Sequence, residues 1–216
     1  MSPAPITHFP KVIQGGMGIA VSSWQLAKEV SKAGQIGVIS GTAIDGVISR
    51  RLQDGDPTGD IRRAMSHFPD QKVVKELLDK LFIEGGRDDN KPYIDIPKLT
   101  LKPSQFTNNL LVVASFVEVW LAKENNPGLI GMNILEKIQM AIPAQLYGAM
   151  LANVDYILIG AGIPAQVPAL LDGLAQGKPV AMRVDVTGST EKHEIRYDPA
   201  QISGITYPIK RPHFLA

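Results

Sequence analysis

The sequence predicts an α/β fold built on a parallel sheet. Short apolar segments without polar alternation recur along the chain, which is typical of strands buried on both faces. Segments with helical spacing of apolar residues lie between them. Several of the apolar segments end in glycine or asparagine, which places ligand-binding groups at the carboxyl edge of the sheet. A barrel and a doubly wound sheet both bind ligands at that edge, so these observations leave the two architectures open.

The amino-terminal part is predicted to form a βαβ unit. A short strand, a glycine-rich loop, a helix and a second buried strand follow one another at residues 11–14, 15–18, 24–33 and 36–39. Ser22 and Ser23 are candidate N-caps of the helix, because a hydroxyl can accept from the free N–H groups of the first turn. Since a helix joins the two strands, we expect them to be parallel.

A long segment without strand patterns follows, and we expect it to be a helical insertion at about residues 43–125. Helical patterns occupy residues 43–52, 58–65, 71–81 and 104–124. Residues 82–101 carry charges, glycines and prolines and are predicted to be a loop. The segments between the helices are too polar to form a second core, so we expect one domain over residues 1–216.

Strand patterns return in the last part of the chain. Strands are predicted at residues 129–132, 154–159, 179–184 and 212–216, helices at residues 143–152 and 165–174, and a hairpin around residues 193–197. The first of these strands ends in Asn133, and the second runs into Gly160-Ala161-Gly162.

Composition and charge exclude several classes of protein. Lys and Arg total 22 and Asp and Glu total 21, so the chain lacks the positive charge of a nucleic-acid-binding surface. Cysteine is absent, which excludes a disulfide scaffold, thiol catalysis and cysteine metal sites. No stretch resembles a membrane helix, and residues 1–11 lack the pattern of a signal peptide. We therefore expect a soluble cytoplasmic protein without nucleic-acid or membrane partners.

Two features are candidates for a ligand site. Gly15, Gly16, Met17 and Gly18 follow the first strand, where backbone without Cβ atoms can approach a planar ring or a phosphate. The other interpretation of this loop is a tight turn. Asn133 ends a later strand at the same edge, and its amide can both donate to and accept from the edge of a flavin or nucleotide. It can equally serve as a cap for the helix that follows.

A dinucleotide site is a further hypothesis. Gly160-Ala161-Gly162 opens a G-x-G-x-x-A pattern after a strand, and Asp185 follows the next predicted strand, where such a site places the acid that binds ribose. Two prolines, Pro164 and Pro168, interrupt the helix whose N-terminus would face the pyrophosphate. The four histidines, His8, His67, His193 and His213, show no metal-ligand spacing, so no metal site is expected.

Several segments together resemble a known family. The stretches 12–18, 26–34 and 37–41, with Val12-Ile-Gln-Gly-Gly-Met-Gly18 first, resemble the opening of the nitronate monooxygenase (2-nitropropane dioxygenase) family. The stretches 51–57, 62–69, 116–124 and 131–139 resemble its trans-acting enoyl reductase branch, which serves polyunsaturated-fatty-acid and polyketide synthases.

This resemblance implies a partial (β/α)₈ TIM barrel, formed by the amino-terminal strands, and an FMN cofactor. The backbone of Gly15, Gly16, Met17 and Gly18 would lie against the FMN ring, Asn133 would contact FMN, and Gly160, Ala161 and Gly162 would line the substrate side. The implied reaction passes a hydride from NAD(P)H through FMN to an enoyl thioester. The alternative reaction in the family is nitronate oxidation by O₂.

The resemblance also implies that the chain is an N-terminal portion of such an enzyme. The family's catalytic histidine segment and its phosphate-binding loops would lie beyond residue 216, so no catalytic residue is assigned here. The implied partners are an acyl carrier protein, a C-terminal half or a second copy of the chain. A half barrel that pairs with another chain without catalysis remains a third, non-enzymatic hypothesis, because it would have an open sheet edge.

Overall fold

The computed structural model describes residues 10–216 of the chain. The helices are α1 (Trp24–Lys32), α2 (Ile44–Gln53), α3 (Asp60–Ser66), α4 (Gln71–Leu81), α5 (Gln105–Lys123), α6 (Ile142–Leu151) and α7 (Val167–Ala175). The strands are β1 (Gly37–Ser40), β2 (Ile130–Asn133), β3 (Tyr156–Leu158), β4 (Val180–Val184), β5 (His193–Tyr197) and β6 (His213–Leu215). The expected absence of a signal peptide, and His8, fall on residues 1–9, which lie outside the described residues.

The main sheet is parallel and its strands follow one another in chain order, β1-β2-β3-β6. Gly37 lies opposite Ile130, and Tyr156 lies opposite Gly131 on one side and His213 on the other. The predicted α/β class with a parallel sheet is therefore confirmed. The carboxyl ends of all four strands lie at one edge of the sheet. Asn133, the last residue of β2, and the two glycine loops lie at this edge as well.

Two predicted strands behave differently from the prediction. Residues 11–14 make only one isolated bridge, from Ile13 to Ile36, outside the named strands. Residues 179–184 form β4, but β4 pairs antiparallel with β5 in a separate two-stranded sheet. The side chains of β4 explain this, because Met182 is buried while Ala181 and Arg183 are exposed. Such alternation is typical of an antiparallel strand with one solvated face.

The helices of residues 43–125 share one hydrophobic core with the main sheet. The core runs from Ile39 of β1 through Leu52, Met65 and Leu77 to Val113 of α5. Helix α5 packs against α1, α2, α3 and α6 and is buried nearly all round, well beyond the narrow apolar stripe that the sequence suggested. A helix that is apolar on every side belongs in the centre of a fold.

Ser104 caps α5 as its position suggests, since its hydroxyl accepts from the Thr107 N–H at 3.1 Å. The cap of α1 is different. Ser23 occupies the N-cap position, but its side chain makes no capping hydrogen bond. The Trp24 N–H donates instead to the Glu118 carboxylate of α5 at 2.8 Å, and Arg51 of α2 pairs with the same carboxylate. A buried acid from the central helix thus fixes the position of α1.

The two faces of the main sheet have different surroundings. Ile39, Met132 and Ile157 face the helices and belong to the large core. Ile36, Val38 and Tyr156 form a separate small cluster, against which Leu129, Leu158 and Leu215 pack. This second face carries the amino-terminal glycine loop.

Candidate functional site

The loop from Gly15 to Gly18 lies directly on the sheet. Gly16 has φ +64° and Gly18 has φ +86°, which is the left-handed region that favours glycine. A Cβ at position 16 would lie 2.3 Å from Val38 Cγ1 and 3.0 Å from Asn133 Cβ. Gly16 is therefore required both by its backbone conformation and by its contact with β1 and β2.

Asn133 holds this loop in place. Its Nδ2 donates to the Gly15 carbonyl at 2.7 Å and approaches Met17 Sδ at 3.5 Å. The structure thus brings together two predicted site features that are 118 residues apart in the sequence. Asn133 Oδ1 accepts no hydrogen bond from the residues that the structure describes. Within that part of the chain, this oxygen is therefore available to accept from a ligand.

Gln14, which directly precedes the glycine loop in the candidate segment, belongs to the same cluster. Its Oε1 accepts from the Val38 N–H at 3.1 Å, which fixes the amide. Its Nε2 is buried without a hydrogen-bond partner among residues 10–216. An unpaired buried donor is unfavourable by about 1–3 kcal/mol, so such groups call for an explanation. The sequence signal for a role of Gln14 is its position, since it is a polar residue at the end of a short apolar segment.

The second glycine loop meets the first at Asn133. A Cβ at Gly160 would lie 3.9 Å from Asn133 Nδ2. Ala161 is exposed. Gly162, with φ +96°, lies instead against Glu136, since a Cβ there would be 2.4 Å from Glu136 Oε2. Gly160 is therefore a neighbour of Asn133, whereas Gly162 lies against Glu136, a residue that the sequence did not indicate.

Apolar side chains around these loops are unusually exposed. Met17 is 66% exposed and Ile163 is 85% exposed, and Val12, Ile13, Ile19 and Val21 are exposed as well. We call these six residues the apolar rim. A ligand site that combines apolar surface with a few fixed polar atoms suits a planar ring with a polar edge.

The geometry does not assemble the dinucleotide pattern. Asp185 follows β4, which belongs to the other sheet, and its carboxylate lies 3.6 Å from Arg183. Helix α7 begins at Val167, five positions beyond Gly162, so an irregular segment separates the glycines from the helix N-terminus. In a dinucleotide site the helix would start at the glycines and the acid would follow the neighbouring parallel strand.

The described histidines have other neighbours. His67 stacks on Trp120 with ring centroids 4.4 Å apart, and His213 stacks on Tyr156 at 5.1 Å. His193 Nε2 lies 2.8 Å from Ser189 Oγ.

Within residues 10–216 no group of three or more His, Asp or Glu side chains could hold a metal ion. In the same residues no helix has the length and apolar character to cross a membrane.

Comparison of the chain with family models, curated proteins and solved structures gave no match. The family expectation therefore depends on the motifs quoted above and on the arrangement of Gly15, Gly16, Asn133 and Gly160 at the carboxyl edge of the sheet.

Proposed function

We propose that the chain is part of an FMN-dependent oxidoreductase of the nitronate monooxygenase type, which reduces enoyl thioesters with NAD(P)H. The observation that carries this proposal is the hydrogen bond from Asn133 to the Gly15 carbonyl. It holds a loop with little side-chain bulk against the ends of β1 and β2, beside a second glycine loop. Flat cofactors bind at this edge of parallel sheets.

The residues present fit the ring part of a flavin. Gly16 allows the backbone to approach a ring. Among residues 10–216, Asn133 Oδ1 has no donor and the buried Gln14 Nε2 has no acceptor, so the first suits a ring N–H and the second a ring carbonyl or nitrogen. The exposed Met17 side chain offers an apolar contact to the face of the ring. When bound, FMN supplies the redox chemistry that moves a hydride from NAD(P)H to the β-carbon of the enoyl group. The chain's own residues position the ring and, at Gly160, border the substrate side.

The sheet order supports a partial (β/α)₈ barrel as the architecture. Ile13, β1, β2, β3 and β6 are neighbours in chain order, and helices cover one face of the sheet. Barrels have this sequential order, whereas doubly wound sheets reverse it at a switch point. On this proposal the small cluster around Val38 and Tyr156 faces the barrel interior. An acyl carrier protein would present the substrate at the carboxyl edge.

Flavin titration tests this proposal. We expect the purified chain to quench the fluorescence of FMN and of riboflavin to a similar extent, because the residues identified contact the ring. Asn133→Ala should weaken binding of both by about tenfold, the effect of losing one hydrogen-bonding group. Asn90→Ala, which changes an exposed loop asparagine, is the matched control. Equal flavin affinity for wild type and Asn133→Ala would contradict the site.

The reaction is tested separately with flavin-loaded protein to which a separately made C-terminal half from a related enzyme has been added. We expect NAD(P)H oxidation that depends on an added enoyl thioester such as crotonyl-pantetheine. Consumption of O₂ with a nitronate, and none of NAD(P)H with the thioester, would instead favour the alternative reaction of the family.

A further inference from the structure

A cavity of about 300 Å³ lies beside the carboxyl ends of β1 and β2. Its lining includes Gly41, Asp45 and Gln145, and it is otherwise mostly apolar, with Ile96, Leu99 and Ile138 on its walls. The Gly41 N–H donates to the Asn133 carbonyl at 2.8 Å, so the cavity adjoins the strand that carries Asn133. None of the loop residues Gly15, Gly16, Met17 and Gly18 lines it.

Asp45 differs from every other buried acid in the described part of the chain. Asp56 pairs with Arg62, Asp70 accepts from Ser203, Glu118 pairs with Arg51, and Asp155 pairs with Lys123 and Lys210. Asp45 is only 9% exposed, yet no cation and no side-chain donor among residues 10–216 lies within hydrogen-bond distance of its carboxylate. The donors near it are the backbone N–H groups of Asp45 and Gly46.

Burial raises the pKa of Asp45 above its ordinary value, although these backbone groups act in the opposite direction. A buried carboxylate without a charged partner is unfavourable, and such groups are retained mainly where a partner or a function compensates. The first turn of a helix favours an acid, so the position of Asp45 in α2 accounts for its presence there. The position of Asp45 in the first turn of α2 does not explain why a cavity lies beside its carboxylate.

Gln145 supplies a second acceptor on the same cavity. The side chain is 4% exposed, and its Nε2 donates to the Gly41 carbonyl at 2.7 Å. This hydrogen bond fixes the amide, and Oε1 accepts no hydrogen bond from the described residues. Within the described residues, the cavity therefore presents two acceptors that have no side-chain donor, inside a mostly apolar wall.

We propose that this cavity binds a small molecule with an apolar body and a primary ammonium group. The ammonium pairs with Asp45 and donates to Gln145 Oε1, and the apolar body lies against Ile96, Leu99 and Ile138. An ammonium has three donors and no acceptor, which matches two acceptors better than an anion or a carbonyl ligand does. This assignment does not depend on flavin binding.

Lys98 is the other charged residue that lines the cavity, and it is exposed. It forms no ion pair with Asp45 in this structure, since Asp45 is absent from every ion pair formed by the described residues. The amine would therefore supply the counter-ion that residues 10–216 do not give Asp45.

Titration of the full chain with n-pentylamine, followed by amide chemical shifts at pH 7.5, tests the proposal. We expect saturable shifts at Gly41, Asp45, Gly46 and Leu99, and at least about tenfold weaker binding of n-pentanol, because a charge-assisted hydrogen bond is lost. Asp45→Asn should bind the amine and the alcohol alike. Asp95→Asn, at an exposed position beside Ile96, is the matched control and should behave as wild type.

Three results would overturn the proposal. They are an amine affinity no higher than that of the alcohol, a pentylamine affinity unchanged in Asp45→Asn, and shifts outside the cavity lining. A fourth test needs no ligand and follows the pKa of Asp45 through the chemical shift of its carboxyl ¹³C. If Lys98→Ala moves the carboxyl ¹³C titration of Asp45 further upward, Lys98 is its partner in solution and the proposal fails. An unchanged titration supports a carboxylate without an internal partner.

Discussion

The two edges of the parallel sheet each hold a buried aspartate, and the two aspartates are in opposite situations. Asp155 stands just before β3 at the amino edge and is 8% exposed, while Asp45 follows β1 at the carboxyl edge and is 9% exposed. Asp155 has two ammonium partners and accepts from the Ile130 N–H at 3.0 Å. Asp45 has no side-chain partner among the described residues. Equal burial with unequal pairing is what we expect if, as we propose, the amino edge serves stability and the carboxyl edge serves binding, the division known from barrels.

The pKa directions express the same contrast. Burial opposes ionisation of Asp155, yet Lys123, Lys210 and the Ile130 N–H together hold its pKa below the ordinary value. Burial raises the pKa of Asp45 because no comparable group offsets it. Folding therefore favours the ionised form of Asp155 and disfavours the ionised form of Asp45.

The largest expected effect comes from breaking the amino edge. Asp155→Ala leaves two ammonium groups without their shared partner and leaves the Ile130 N–H of β2 without its acceptor, so it should lower the free energy of unfolding by about 3–5 kcal/mol. Urea unfolding followed by circular dichroism measures this. Asp172→Ala, which removes an exposed carboxylate paired with Arg211, should change stability by at most about 1 kcal/mol. Similar values for the two variants would refute the assignment of Asp155 to stability.

At the carboxyl edge, Gly16→Ala should have a smaller effect on stability than Asp155→Ala and a large effect on flavin binding. Gly16→Ala must adopt a left-handed conformation and displace Val38, at a local penalty of about 1–3 kcal/mol. We expect flavin affinity to fall at least as far as in Asn133→Ala, while Asp155→Ala, where folded, retains it. Gly34→Ala is the control, because Gly34 also has positive φ but has open space around it. Normal flavin binding by Gly16→Ala would contradict the claim that the loop from Gly15 to Gly18 is part of the flavin site.

The smallest expected effect is a difference in pH dependence. The folded-state pKa of Asp155 is lowered, so its stabilising contribution is present above the ordinary value of 3.8 and is lost as pH falls below it. The folded-state pKa of Asp45 is raised, so the folded state is favoured at low pH and loses this advantage as pH rises from 3.8 through the raised value.

Asp45→Asn should therefore gain stability relative to wild type as pH rises from 3.8 through the raised pKa of Asp45. Asp155→Asn should lose stability relative to wild type at lower pH, as pH rises toward 3.8 through the lowered pKa of Asp155. Denaturant midpoints recorded from pH 2 to pH 8 for both variants measure the two trends. Parallel curves for the two variants would contradict the contrast between the edges.

Much of the fold follows from local patterns. Helix α4 has the bounds that its apolar spacing predicts, and α1 and α5 agree to within one residue at each end. Strand β2 ends at Asn133 as expected. These elements carry strong signals, since capping residues and helical spacing are encoded within the segment itself. The placement of β4 was wrong because a short apolar strand does not specify which strand it will pair with.

The candidate site was predictable only in part. Gly15, Gly16 and Asn133 meet because carboxyl ends of parallel strands share an edge, and that rule operates on sequence alone. The sequence did not predict Glu136, the Asp45 cavity or the unpaired amide of Gln14, since these environments depend on side chains from distant elements. Gln145, for example, contacts a carbonyl 104 residues away. No local pattern marks a carboxylate as unpaired.

The most direct test of the division between the two edges is a map of amide chemical shifts during titration of the chain with FMN. The account predicts that the largest changes occur at Gly15, Gly16, Gly18 and Gly160, and that Asp155, Lys123 and Lys210 at the amino edge do not respond. Changes concentrated at the amino edge, or an absence of response at the two glycine loops, would contradict the central claim.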